Sequence, residues 1–137
     1  FIKNILQNKK ISLRNNFNTK DGTGIRDFIH VEDVVNAHYK CLINIDKIKD
    51  SFIAINLGTK FYHSCKEILE FIKNKINKKI IKVTYTNKKK GEPDKLLASN
   101  ELARKILKWQ SKKNIKNAIQ NMVKWEEYKF KKYYKFY

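Results

Sequence analysis

The chain has 137 residues, 42% hydrophobic and 12% aromatic, which suits one packed domain or one lobe of something larger and excludes wholesale disorder. Its net charge of +18 raises nucleic acid as a partner, but of its 31 basic residues only Arg14, Arg26 and Arg104 are arginine, the fork donor that base and phosphate recognition favours, so no specific nucleic acid is expected. Cys41 and Cys65 are too few for a disulfide scaffold, His30, His38 and His63 lack metal-ligand spacing, and no apolar run reaches the roughly 18 residues of a membrane span, so neither a metal nor a membrane is expected.

Residues 1–8 read as the tail of a helix, with Ile2, Ile5 and Leu6 on one face. A short strand is expected over residues 10–13 and a loop over 15–24, where Asn, Asp, Thr and two glycines collect. Residues 25–31 alternate apolar and polar and read as extended chain. From Val31 to about Ile48 the spacing of Val34, Val35, Ala37, His38, Cys41, Leu42 and Ile45 predicts a helix with these residues inward. Glu32 and Asp33 sit in its first turn, where the helix dipole favours acids. Residues 52–57 read as an apolar strand stopped by Gly58. Ser64 and Glu67 make an S-x-x-E capping box that predicts a helix over 65–75. Residues 80–86 alternate as a strand with one wet face, and Gly91 to Asp94, holding the only proline, form a loop. Ser99 is placed to cap a helix over 100–107, closed by Trp109. The last helix is expected over about 114–129, with Ile115, Ala118, Ile119, Met122 and Trp125 inward. Residues 129–137 alternate lysine with Tyr and Phe. The irregular mixture of helices and strands predicts an α/β fold with a small sheet.

The stretch Thr19-Lys-Asp-Gly-Thr-Gly-Ile-Arg-Asp-Phe-Ile-His-Val31 holds the chemistry. Its glycines allow close backbone approach or positive φ. Arg26 stands out in a chain whose basic residues are otherwise almost all lysine, because a planar fork suits a phosphate or pyrophosphate better than an ammonium does. A structural turn in which Arg26 pairs with Asp27 or Asp33 explains the same residues equally well. Three Tyr-x-x-x-Lys spacings, starting at Tyr62, Tyr85 and Tyr128, carry little information in so lysine-rich a chain. No catalytic residue is expected among them.

Residues 19–33 resemble the substrate-lobe signature of the UDP-glucose 4-epimerases, T-x-D-G-T-x-x-R-D-Y-I-H-V-x-D, with Phe28 in place of Tyr. Further similarities follow in register: Ile55-Asn-Leu-Gly58, the Ser64 cap, Lys88-Lys-Lys-Gly-Glu92, Leu107-Lys-Trp109 and Trp125. The resemblance covers roughly residues 1–125, so 1–125 would be the UDP-sugar-binding lobe and 126–137 a basic aromatic tail. It implies the C-terminal substrate-binding lobe of an extended Rossmann-type short-chain dehydrogenase/reductase. The NAD-binding Rossmann domain, the catalytic Ser and the Tyr-x-x-x-Lys pair would lie upstream, outside this chain, which starts at Phe1 and has its only Met at 122. The parent would be a cytoplasmic homodimer that interconverts UDP-glucose and UDP-galactose by moving a hydride from C4 of the sugar to NAD and back.

The resemblance also implies roles for single residues. Arg26 would clamp the pyrophosphate, and Phe28 would keep an aromatic contact without the hydroxyl. Ile11, Ser12 and Leu13 would flank the uracil, Leu13 covering the base without ring stacking. Cys65 would line the nucleotide site. Lys89 and Glu92 would stand for a phosphate-binding Arg and a ribose-binding Asp; Lys89 loses the fork and Glu92 is one methylene longer. Lys60 and Tyr62 replace two family glycines. The rivals are another NAD-dependent sugar-nucleotide epimerase or dehydratase, a basic nucleic-acid module, and an inactive remnant.

Overall fold

The computed structural model describes residues 1–49 and 51–133. In chain order the elements are α1 (Ile2–Leu6), β1 (Ile11–Asn15), β2 (Ile25–Asp27), α2 (Val31–Ile43), β3 (Tyr62–Ser64), α3 (Cys65–Ile76), β4 (Val83–Asn87), β5 (Lys95–Leu96), α4 (Glu101–Leu107) and α5 (Ile115–Tyr133). The strands form two small sheets. β1 and β4 pair in parallel, and β2 is flanked by β3 (antiparallel) and β5 (parallel). This is the α/β fold with little sheet that the mixed element order predicts.

The main core lies where α1, β1, α3 and α5 meet. Ile2, Ile5, Ile11, Leu13, Ile68, Leu69, Ile72, Ile119 and Val123 are buried together there, with Phe28 and Cys65 packed at its margin. Each such side chain contributes roughly 1.5–3 kcal/mol of burial free energy. A second, smaller cluster gathers Ala37, Ala103, Leu107 and Trp109. Asp33 ties the two ends of that cluster. Its main-chain carbonyl accepts from Trp109 Nε1 (3.0 Å), and its carboxylate accepts from the amides of Lys112 and Lys113 (3.1 and 3.0 Å).

The capping box at α3 forms as expected: Ser64 Oγ accepts from the Glu67 amide at 3.0 Å, and Glu67 Oε2 accepts from the Ser64 amide at 2.8 Å. His30 is packed and hydrogen-bonded, its Nδ1 accepting from the Glu32 amide at 3.0 Å and its Nε2 lying 3.1 Å from Asn121 Nδ2.

Several expectations need correction. α2 ends at Ile43, and a single 3-10 turn follows over Ile45–Lys47. Only Asp33 and Ala37 of α2 are buried; Val35, His38, Leu42 and Ile45 are exposed, because nothing among the described residues covers that face. Residues 52–57 are not a strand, because no strand among the described residues pairs with them. β3 and β5 were not expected, and β1 and β4 run on to Asn15 and Asn87. Asn100, not Ser99, is the N-cap of α4, although Ser99 Oγ still accepts from the Glu101 amide at 3.4 Å. On α5 Ile119 and Val123 are buried and Ile115 packs against the same core, whereas Met122 and Trp125, expected inward, are exposed, Trp125 at 56%. The helix runs on through Tyr133, so residues 126–133 of the expected tail are helical; 134–137 lie outside the described residues.

Candidate functional site

The loop ahead of β2 is held by its own polar groups. Asp21 accepts from the Thr23 amide (2.9 Å), from Thr23 Oγ1 (2.8 Å) and from Ser64 Oγ. Thr19 Oγ1 donates to the Thr23 carbonyl at 2.7 Å, and the Lys66 amide donates to Thr23 Oγ1 at 3.2 Å. The loop is thereby fastened to the N-terminus of α3. Gly22 takes φ +74°, a left-handed conformation that a side chain would oppose. Asp21 sits below its ordinary pKa: burial raises it, but the bonds from Ser64 and Thr23 and the charge of Lys66 outweigh that.

β2 then delivers Arg26. Its guanidinium folds back over Gly24, where a Cβ would lie 2.8 Å from Nη1 and 2.9 Å from Nη2. Nη1 donates to the carbonyls of Ile25 (2.8 Å), Pro93 (3.2 Å) and Asp94 (3.4 Å), and Nη2 to Glu92 Oε1 (3.2 Å). The side chain is 20% exposed, so it is neither buried nor loose in solvent. Neither acid proposed as its turn partner is one. Asp27 takes the Thr59 amide (3.1 Å) and hydroxyl (2.5 Å), and Asp33 serves the second cluster.

Glu92 is the meeting point. Besides Arg26 it accepts from Arg14 Nη1 on both oxygens (3.0 and 3.1 Å) and from the Lys89 amide (3.3 Å). Its pKa lies below the ordinary carboxylate range; some desolvation raises it, but the Lys89 amide, Arg14 and Arg26 prevail. Next to this group Phe17 is buried, with the Arg26 guanidinium 5.6 Å and Lys88 Nζ 5.4 Å from its ring centre. Lys88 donates to Asp94 at 2.7 Å, and that bond, the Asn18 amide and the nearby cations hold Asp94 below its ordinary pKa.

The eight expected site residues do not all come together. Arg26 and Glu92 come together directly. Lys89 contributes its amide; its ammonium is exposed and meets no partner among the described residues, and Lys88 is the lysine that enters the cluster. Ile11 and Leu13 send their side chains into the core, Leu13 with 2% exposure, so they offer no side chain to an outside ligand; Ser12 lies on the open face, its hydroxyl 3.5 Å from that of Thr86. Phe28 is half-buried against the main core. Cys65 starts α3, its amide bonded to the Gly24 carbonyl at 3.0 Å. Burial raises its thiol pKa, against the pull of Arg26, so the helix N-terminus does not activate it. A groove of about 910 Å³ runs beside α3 and β3, lined by Asp21, Tyr62, Lys66, Glu70, Phe71 and Leu97 among others, and it holds none of these eight residues. The arginine cluster lies outside that groove. Sequence reasoning missed Arg14, Phe17 and Lys88. For Arg14 the signal was present: it is one of three arginines among 31 basic residues, and it alternates with the apolar Ile11 and Leu13.

The sequence matches the profile of the GDP-mannose 4,6 dehydratase family over residues 1–122. It is 38% identical to the UDP-glucose 4-epimerase of Lactobacillus helveticus over 112 residues, 81% of this chain and 33% of that protein. It is 33% identical to UDP-glucose 4-epimerase 2 of Arabidopsis thaliana over 109 residues, 80% of this chain and 31% of that protein. The chain thus spans about a third of the length of the curated relatives it matches. Among solved structures, a UDP-glucose-4-epimerase from Stenotrophomonas maltophila with bound NAD and formylated UDP-arabinopyranose aligns with TM-score 0.82 and 25% identity, covering 96% of this chain and 38% of that one. Another UDP-glucose 4-epimerase structure aligns with TM-score 0.81 and 32% identity over 99% of this chain and 42% of that one. The fold is that of the C-terminal part of these extended Rossmann-type proteins.

Proposed function

The chain belongs to the GDP-mannose 4,6 dehydratase family, and from that premise we propose that it is the nucleotide-sugar-binding part of an NAD-dependent UDP-glucose 4-epimerase. The observation that carries this reading is Arg26. A fork donor is seated over a glycine, steered by three main-chain carbonyls and matched to an acid on the opposite loop. In this reading Arg26 holds the diphosphate, Lys89 adds charge from the exposed loop, and Glu92 reaches the ribose hydroxyls. Ser12 borders the base, with the buried Ile11 and Leu13 on either side of it in the strand and Phe28 and Cys65 behind.

The glycines of this chain, Gly22, Gly24, Gly58 and Gly91, form no G-x-G-x-x-G turn between a strand and a helix. These residues do not fit a dinucleotide, so NAD would be held by other parts of the enzyme. What this chain supplies is remote binding energy and a fixed diphosphate about which the sugar turns. The substrates would be UDP-glucose and UDP-galactose, and the enzyme a cytoplasmic homodimer with neither nucleic acid nor membrane as a partner. No helix among the described residues is long and apolar enough to cross a membrane.

Calorimetry on the whole polypeptide that contains this chain tests the reading. UDP should bind, and Arg26→Ala should weaken it by about tenfold or more, the loss of a charge-assisted bidentate contact. Equal UDP affinity in wild type and Arg26→Ala would refute the site. The family profile, described by a GDP-sugar dehydratase, favours one rival, another sugar-nucleotide enzyme. GDP in place of UDP in the same titration separates them, since the rival expects GDP to bind at least as well.

A further inference from the structure

We infer that Arg14 is a second guanidinium for the diphosphate, an inference that rests on the reading just given. β1 alternates strictly: Ile11 and Leu13 enter the core, and Ser12 and Arg14 face outward on the side where Glu92 lies. Arg14 is 45% exposed and engages Glu92 through Nη1 alone, so Nε and Nη2 remain open to a ligand among the described residues. Arg26 comes from the other sheet and donates to the same Glu92 oxygen that Arg14 uses, at 3.2 Å against 3.0 Å. Two guanidiniums from separate strands therefore converge on one anionic oxygen. Glu92 bridges the two cations, and one carboxylate leaves the trio with net positive charge. A diphosphate carries more charge and more acceptor oxygens than a carboxylate and satisfies both forks at once. Lys89, a point charge out in solvent, offers no fork. Arg14 restores one from β1. As the diphosphate enters, Glu92 is released from Arg14 and turns to the ribose.

The test is calorimetry on the whole polypeptide with uridine, UMP and UDP, using wild type, Arg14→Ala, Arg14→Gln, Arg14→Lys and Arg26→Ala. Removing the fork should weaken UDP by about tenfold or more in both Arg14→Ala and Arg14→Gln, leave uridine within about twofold, and shrink the preference for UDP over UMP. Arg14→Lys should recover only part of the loss. If Arg14→Ala and Arg14→Gln bind UDP like wild type while Arg26→Ala does not, the inference falls and the diphosphate site stands. If uridine weakens in parallel with UDP, Arg14 merely positions Glu92, which also overturns the inference. If wild type does not bind UDP, both fall together.

Discussion

Gly24 and Gly58 look alike in sequence and differ in what a methyl group would strike. At Gly24 the nearest atoms are Arg26 Nη1, Nη2 and Cζ, at 2.8, 2.9 and 3.0 Å. These are the far end of a flexible side chain, which can swing aside. Gly24→Ala should therefore leave stability within about 1 kcal/mol, helped by a less flexible unfolded chain, while the displaced guanidinium weakens UDP binding severalfold. At Gly58 a Cβ meets the Ala98 carbonyl and an Asp27 oxygen, each at 2.6 Å. Main chain cannot step aside so freely, and Gly58→Ala should cost about 1–3 kcal/mol. Urea unfolding and calorimetry on the two variants check the contrast; a stability loss at Gly24 as large as at Gly58 would show that the guanidinium is not the part that yields. The sequence shows that the motif needs glycines and gives two generic reasons. Only coordinates separate them, because Gly22 takes the positive φ and Gly24 clears room for Arg26.

At the scale of elements, the N-terminus of α3 joins three parts of the chain. Ser64 caps the helix through the Glu67 amide and donates to Asp21, which in turn holds Thr23. Ser64→Ala should destabilise the chain by about 1–2 kcal/mol near neutral pH. Part of that depends on pH. Asp21 has a depressed native pKa, so its contribution is present above the ordinary carboxylate range and disappears as pH falls through the native value. The gap between wild type and Ser64→Ala, measured by urea unfolding, should narrow on acidification; a gap that widens would contradict the assigned bond. The capping box was legible because its residues lie three apart in the sequence. β3 and β5 were not, since strands of three and two residues are too short to show a period. Residues 52–57 have the composition of a strand, but a strand also needs a neighbour, and composition cannot supply one.

The same limit governs the whole molecule. Of the α2 residues whose helical period predicts an inward face, Ala37 is buried and Val34 and Cys41 are half-buried, but Val35, His38 and Leu42 are exposed. In the structure Val31, Val35, Tyr39 and Leu42 form an exposed stripe on α2, with Leu42 at 68%, and Phe52 is exposed beyond its end. Apolar periodicity says that a surface avoids water and is silent about which body covers it. The chain as it stands should bind a hydrophobic dye and associate with itself as concentration rises. Val35→Lys and Leu42→Lys together should suppress both effects. Because neither side chain is packed, unfolding free energy should change by no more than about 1 kcal/mol for the pair. Dye fluorescence, sedimentation velocity and urea unfolding on the double variant decide the matter. A steep loss of stability would mean that the stripe is packed inside the folded chain. Unchanged dye binding would place the sticky surface elsewhere, with the exposed Trp125 and Met122 of α5 as the next surface to alter.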